Sequence, residues 1–153
     1  MKLSGNQKGF SLLEVLIALV VFSIGMLGLL ALQSSSTVTL SNSQSLSDAV
    51  VLAQDMADRL RANSDEALTG AVYNGASAAS ESSKNCASGC SAAERAQKDV
   101  NDWFGDITTQ LPGGGGSLSR TGSAFIVSVT WQDRQREDGA ATVNGRFDLR
   151  VEL

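Results

Sequence analysis

From Phe10 to Leu32 the chain runs for 23 residues with Glu14 as the only formal charge. A helix rising about 1.5 Å per residue spans roughly 34 Å over that length, enough to cross a hydrocarbon core about 30 Å thick. The stretch therefore reads as a membrane-spanning helix at the start of the chain, behind a short polar leader that ends in Lys8-Gly9. A secretory signal peptide has a shorter apolar region ahead of a small-residue cleavage site. Here the run is longer and no such site clearly follows. A carboxylate inside lipid costs about 2–3 kcal/mol near a helix centre and less near its end, so Glu14 needs a partner. Phe10 lies four residues earlier, one turn away on the same face. If the chain were cut after Gly9, Phe10 would carry a new amino terminus, and that cation and Glu14 would neutralise each other within one chain or between neighbours.

The segment Lys8-Gly9-Phe10-Ser11-Leu12-Leu13-Glu14 resembles the class III signal of type IV prepilins. The resemblance implies that a prepilin peptidase cuts after Gly9 on the cytoplasmic side and N-methylates Phe10, and that Glu14 is the assembly glutamate. It implies three parts: a leader over 1–9, a membrane and filament-core half of the first helix over 10–32, and a periplasmic globular domain over 33–153.

Charge and composition agree with a chain that passes outward. Lys2 and Lys8 precede the span and the remainder is net acidic, which places the leader in the cytoplasm and the domain outside the inner membrane. Losing those two lysines takes the formal charge from −4 to −6. Nucleic-acid binding would need a basic face. The chain has no histidine, which removes Ser-His and Cys-His nucleophilic pairs and imidazole metal ligands. Its two cysteines cannot form a four-thiolate zinc site. No carboxylate constellation suggests catalysis, so neither an enzyme nor a cofactor is expected.

Helical periodicity continues past the span. Leu46, Val50, Ala53, Ala57 and Leu60 form a stripe that Ala49 and Met56 widen, while Gln54, Asp55, Asp58, Arg59 and Arg61 mostly fall away from it. One helix from Phe10 to about Asn63 is expected. Gly25 and Gly28 inside it serve either as a hinge or as close-packing positions. The serines and threonines from Ser34 to Ser47 read as a solvated or inter-subunit surface. Residues 62–91 read as a polar connection with turns at Asn74-Gly75 and Gly89. Cys86 and Cys90 enclose three residues. An oxidising compartment favours a disulfide there, closing a loop worth only about 2 kcal/mol of chain entropy. A redox pair is the alternative, but its usual spacing has two intervening residues.

Ser91-Ala92-Ala93-Glu94 is a capping box. The helix it opens would bury Ala96, Val100, Trp103, Phe104, Ile107 and Leu111, and Pro112 would stop it. Gly113 to Gly116 read as a flexible turn rather than a phosphate cradle, which would need a lysine and a following helix. Phe125, Val127, Val129 and Trp131 alternate with Ile126, Ser128 and Thr130. Phe147, Leu149, Val151 and Leu153 alternate with charged residues. These are strands with one apolar face each, and Leu118 is a candidate for a short preceding strand. Trp103 and Trp131 read as core anchors. The polar stretch Gln132 to Ala141 reads as a solvated hairpin; with the cysteine loop it is the place outside the first helix to look for a partner contact.

The expected fold is α+β and type IV pilin-like. A long N-terminal helix, first membrane-spanning and then amphipathic, packs on a small antiparallel sheet with a second helix. The stretch EVLIALVVFSIGMLGLLALQ (14–33) followed by LAQDMADRLRAN (52–63) looks like the PilV group of minor pilins. Leu111 to Gly114 and the strand segment from Phe125 to Asp133 also look like that group. Unlike major pilins, the chain has no C-terminal cysteine pair bracketing a loop and no proline in the membrane helix. The resemblance implies a minor pilin in an inner-membrane priming or tip complex that starts type IV pilus assembly and supports adhesin display and twitching motility. Its implied partners are other minor pilins, the major pilin, a PilY-type tip adhesin, the prepilin peptidase and the inner membrane. A pseudopilin of a type II secretion system, which shares the N-terminal signal, is the alternative.

Overall fold

The computed structural model describes residues 9, 11–77, 85–133 and 144–153. The chain forms two compact units, one up to Thr37 and one from Val38 onward. Helix α1 covers Leu12–Ala62, so the helical pattern read from the sequence holds to within about two residues at either end. Hydroxyls along it fold back onto the carbonyl one turn earlier, among them Ser23 onto Leu19, Thr37 onto Gln33, Ser43 onto Thr39, Ser45 onto Ser41 and Ser47 onto Ser43, at 2.7–3.2 Å. A hydroxyl satisfied in this way leaves the helix ladder intact, which is how a serine- and threonine-rich stretch stays helical.

In the second unit α1 buries Ala49, Leu52, Ala53, Met56, Ala57 and Leu60. The buried face is rotated from the expected stripe: Leu46 is exposed and Val50 half-buried, while Leu52 is inside. The alanines leave room for a bulky neighbour, and the indole of Trp103 fills it, donating from Nε1 to the Leu52 carbonyl at 2.9 Å. The helix ends where the Asn63 side chain turns inward and donates to the Ala92 carbonyl at 2.9 Å and to the Tyr73 hydroxyl at 3.3 Å.

The connection that follows is more ordered than its composition suggests. A short helix α2, Ser64–Thr69, opens it. Tyr73 is then buried to 1 % exposure, and Gly75 takes a φ of 82° in the expected turn. Helix α3, Ala92–Gln110, begins with the expected capping box: Ser91 Oγ accepts from the Glu94 amide, and the Glu94 carboxylate accepts from the Ser91 amide. It ends at Leu111, whose extended backbone is what a residue before proline adopts. All six apolar residues expected inside along this stretch are buried.

Three strands follow: β1 Gly115–Thr121, β2 Ala124–Gln132 and β3 Asn144–Glu152. They form one antiparallel sheet in the order β1-β2-β3. Gly122, with φ 65°, opens the two-residue turn between β1 and β2, where a tight hairpin needs a positive φ. The glycine run is only in part the turn expected of it. Gly115 and Gly116 are already strand, and a Cβ on Gly116 would come within 2.7 Å of the Trp103 ring and 2.9 Å of Ile107 Cδ1. Glycine is required there so that the sheet can lie against the indole. The core joins Leu118, Phe125, Val127, Val129, Trp131 and Val151 of the sheet to the buried faces of α1 and α3.

Candidate functional site

The N-terminal unit is a helix surface with no cover. Leu12 is 78 % exposed, and the apolar residues Leu13, Val15, Leu16, Ile17, Leu19, Val20, Val21, Phe22 and those onward to Leu32 are all exposed. Among the described residues, α1 is one helix long and apolar enough to cross a membrane. A bare apolar surface of this size is unstable in water; it belongs in lipid or against other helices. Gly9 is exposed, and Phe10 lies outside the described residues. The Ser11 carbonyl accepts from the amides of Glu14 at 3.0 Å and Val15 at 3.4 Å, which starts the helix. Glu14 is exposed in the first turn, the end where the helix dipole favours a negative charge. The hydroxyl of Ser23, deeper in the same stretch, is already bonded to its own helix.

In the second unit the charged residues work as ties. The Arg59 guanidinium, on α1, lies 2.8 Å from Asp55, 3.9 Å from Asp99, 3.8 Å from Asp102 and 3.7 Å from Asp106. It also donates to the Asp99 carbonyl at 3.4 Å. Three of those aspartates are on α3, so Arg59 clamps α1 to α3; Lys98 shares Asp102. The sequence places Arg59 away from the apolar stripe, and its three distant partners lie 40 or more positions further on. Asp99 also accepts from the Tyr73 hydroxyl at 2.6 Å. Burial first, and the bond to Asp99 second, push the Tyr73 phenol above its ordinary pKa. Arg120 of β1 donates to the carbonyls of Ala67 at 2.7 Å and Gly70 at 3.4 Å, and also to that of Leu68, closing the C-terminal end of α2. Among the described residues no group of three acids, cysteines or histidines is arranged to hold a metal ion.

Cys86 and Cys90 are joined by a disulfide with Cα atoms 5.1 Å apart. Gly89, with φ 99°, turns the loop and donates its amide to the Cys86 carbonyl at 3.0 Å, while Asn85 Oδ1 accepts from the Ala87 amide. Of the polar stretch Gln132 to Ala141, only Gln132 and Asp133 lie within the described residues. Asp133 accepts from Trp131 Nε1 at 2.7 Å. Trp131 is otherwise buried over Gly145, its partner across β2 and β3.

Two family models match the chain. Residues 4–30 match the prokaryotic N-terminal methylation motif. Residues 31–101 match type IV pilin Tt1218. The second match ends inside α3, so the three-stranded sheet lies beyond it. No curated protein and no solved structure matched the chain. The chain is type IV pilin-like: a long apolar N-terminal helix, a further helix and a small three-stranded antiparallel sheet, with a methylation motif at the start of the first helix.

Proposed function

We propose that the chain is a minor pilin, of the PilV group, that helps to start type IV pilus assembly in an inner-membrane priming or tip complex. The observation that carries this reading is the exposed apolar surface of α1 with a single carboxylate, Glu14, in its first turn, directly after Lys8-Gly9. The role is physical rather than catalytic. A prepilin peptidase cuts between Gly9 and Phe10 and methylates Phe10. The helix of residues 10–32 rests in the bilayer and, on assembly, moves its apolar surface from lipid to the helices of neighbouring subunits. The cationic amino terminus of Phe10 and the Glu14 carboxylate neutralise each other inside that bundle, which sets register. The domain from residue 33 onward faces the periplasm, as Lys2 and Lys8 before the span favour, and an oxidising compartment suits the Cys86–Cys90 disulfide. In this reading other minor pilins, the major pilin and a PilY-type adhesin are its partners, and twitching and adhesion depend on it indirectly.

Crosslinking in the inner membrane followed by pull-down and mass spectrometry tests the reading. Recovery of minor pilins and a PilY-type adhesin is expected. Recovery of secretion-system pseudopilins instead would move the chain to a type II secretion role. Glu14→Ala is expected to insert and to be cleaved normally but to lose these partners. Normal filament assembly with that variant would count against Glu14 as the assembly residue.

A further inference from the structure

Strand β3 ends the sheet, and its backbone is open on the side away from β2. The amide and carbonyl of Leu118, on β1, bond to Ala76 and Gly75. In an antiparallel strand alternate residues point their backbone groups to opposite sides, so Ser117 and Ser119 face β2. By the same alternation Phe125, Val127, Val129 and Trp131 face β3 and bond Val151, Leu149, Phe147 and Gly145. The amides and carbonyls of Arg146, Asp148, Arg150 and Glu152 then point outward. Among the described residues no other backbone group bonds to them.

Free amides and carbonyls in a row template pairing with another strand. Proteins guard such an edge by keeping it short, by lysine or proline, by a bulge or by a covering element. β3 has nine residues, neither lysine nor proline, and an unbroken pairing to β2 without a bulge. Its charges do not guard it either. Arg146 pairs with Asp148 at 2.9 Å and Arg150 with Glu152 at 2.7 Å, so the exposed row is neutral in sum and repels no partner. On the opposite face Phe147 and Leu149 are only half-buried, and a further strand would cover them.

We propose that the β3 edge is a docking surface for an extended segment of a partner protein, added antiparallel as a fourth strand. Arg146, Asp148, Arg150 and Glu152 would each exchange both backbone bonds with the residue opposite. Opposite charges facing each other across strands stabilise a pair and like charges destabilise it. The segment therefore runs basic, apolar, acidic, apolar, basic, apolar, acidic, from the position facing Glu152 to the position facing Arg146. Its apolar residues meet Val151, Leu149 and Phe147. A second copy of β3 carries the same order but is not the occupant. Its two-fold axis would be normal to the sheet and would turn α1 end for end between the copies, which a shared membrane does not allow. Nothing in this docking depends on the pilus reading.

The test is amide exchange by NMR on the full chain in detergent, with two capped peptides of equal composition. The first, Lys-Val-Glu-Val-Lys-Val-Glu, matches the edge. The second, Lys-Val-Lys-Val-Glu-Val-Glu, sets like charges against Arg150 and Asp148. Without peptide, the amides of Phe147, Leu149 and Val151 are expected to exchange slowly and those of Arg146, Asp148, Arg150 and Glu152 fast. The first peptide is expected to slow the fast set, an alternation that only strand addition produces. The second is expected to need about tenfold more peptide for the same effect. In the variant carrying both Asp148→Arg and Arg150→Glu the second peptide becomes the match, and the order of the two is expected to reverse. Slow exchange at Phe147, Leu149 and Val151 in that variant shows that β3 is still paired to β2. The proposal is overturned if the outward amides are already slow without peptide, or if the first peptide leaves them fast up to its solubility. It is also overturned if the variant does not reverse the order of the two peptides.

Discussion

Tyr73 is the only tyrosine in the chain, so its ionisation can be followed without interference from another phenol. Its hydroxyl donates to Asp99 at 2.6 Å and accepts from Asn63 at 3.3 Å, and its ring is buried. Tyr73→Phe removes a hydrogen bond to a charged acceptor, which is worth about 1.5–3 kcal/mol at neutral pH. Asn63 keeps its bond to the Ala92 carbonyl, so the loss stays at Asp99. Burial and Asp99 both favour the protonated phenol, so its pKa is raised in the folded chain. The stabilisation is whole below the unfolded value of about 10 and declines as pH rises above it. In that window the folded state holds the proton and the unfolded state does not, and stability falls by about 1.4 kcal/mol per pH unit. The assay is urea unfolding of the full chain in detergent at pH 7 and at points above pH 10, with tyrosinate absorbance recorded on the folded protein. Tyr73→Phe is expected to cost most at pH 7 and progressively less above pH 10. A folded-state phenol titrating at its ordinary value, or a cost that does not change with pH, would refute the reasoning.

Three further outcomes are expected. Gly116→Val sets branched carbon atoms against the Trp103 ring and Ile107, and should lower stability by about 1–3 kcal/mol in thermal unfolding. Arg59→Ala leaves Asp55, Asp99, Asp102 and Asp106 without their shared cation, and should cost about 1–3 kcal/mol by urea unfolding, more at low salt than at high. Ser91→Ala removes the side-chain half of the capping box, leaving the Glu94 amide without its acceptor, and should cost about 1 kcal/mol, with the first turn of α3 losing hydrogen-exchange protection.

What could be read from the sequence was local. The capping box at Ser91 and Glu94, the stop at Pro112 and the apolar period of α3 each depend on residues within one or two turns, and the structure has them as expected. The alternation in β2 and β3 likewise gave the two longer strands. The misreadings all concern what a distant segment supplies. Leu46 and Leu52 are equally apolar, and nothing local to either marks Leu52 as the one that the core covers. Gly115 and Gly116 look like a turn until the sheet pairing is seen, and at Gly116 the indole of Trp103 makes a missing side chain a packing requirement. Tyr73 sits in a stretch of small polar residues with no period to mark it, and its partners Asn63 and Asp99 come from two other segments. Helix α2 is too short to show a period and is held at its end by Arg120, from β1. At the amino terminus the apolar run was legible because a helix long and apolar enough to cross lipid is marked by length and polarity alone.

The most direct measurement is the intact mass of the chain recovered from membranes. A pilin processed at Gly9–Phe10 will be lighter by the leader of residues 1–9 and heavier by one methyl group on Phe10. A full-length chain that keeps its leader would contradict the filament reading and leave a membrane-tethered domain in its place.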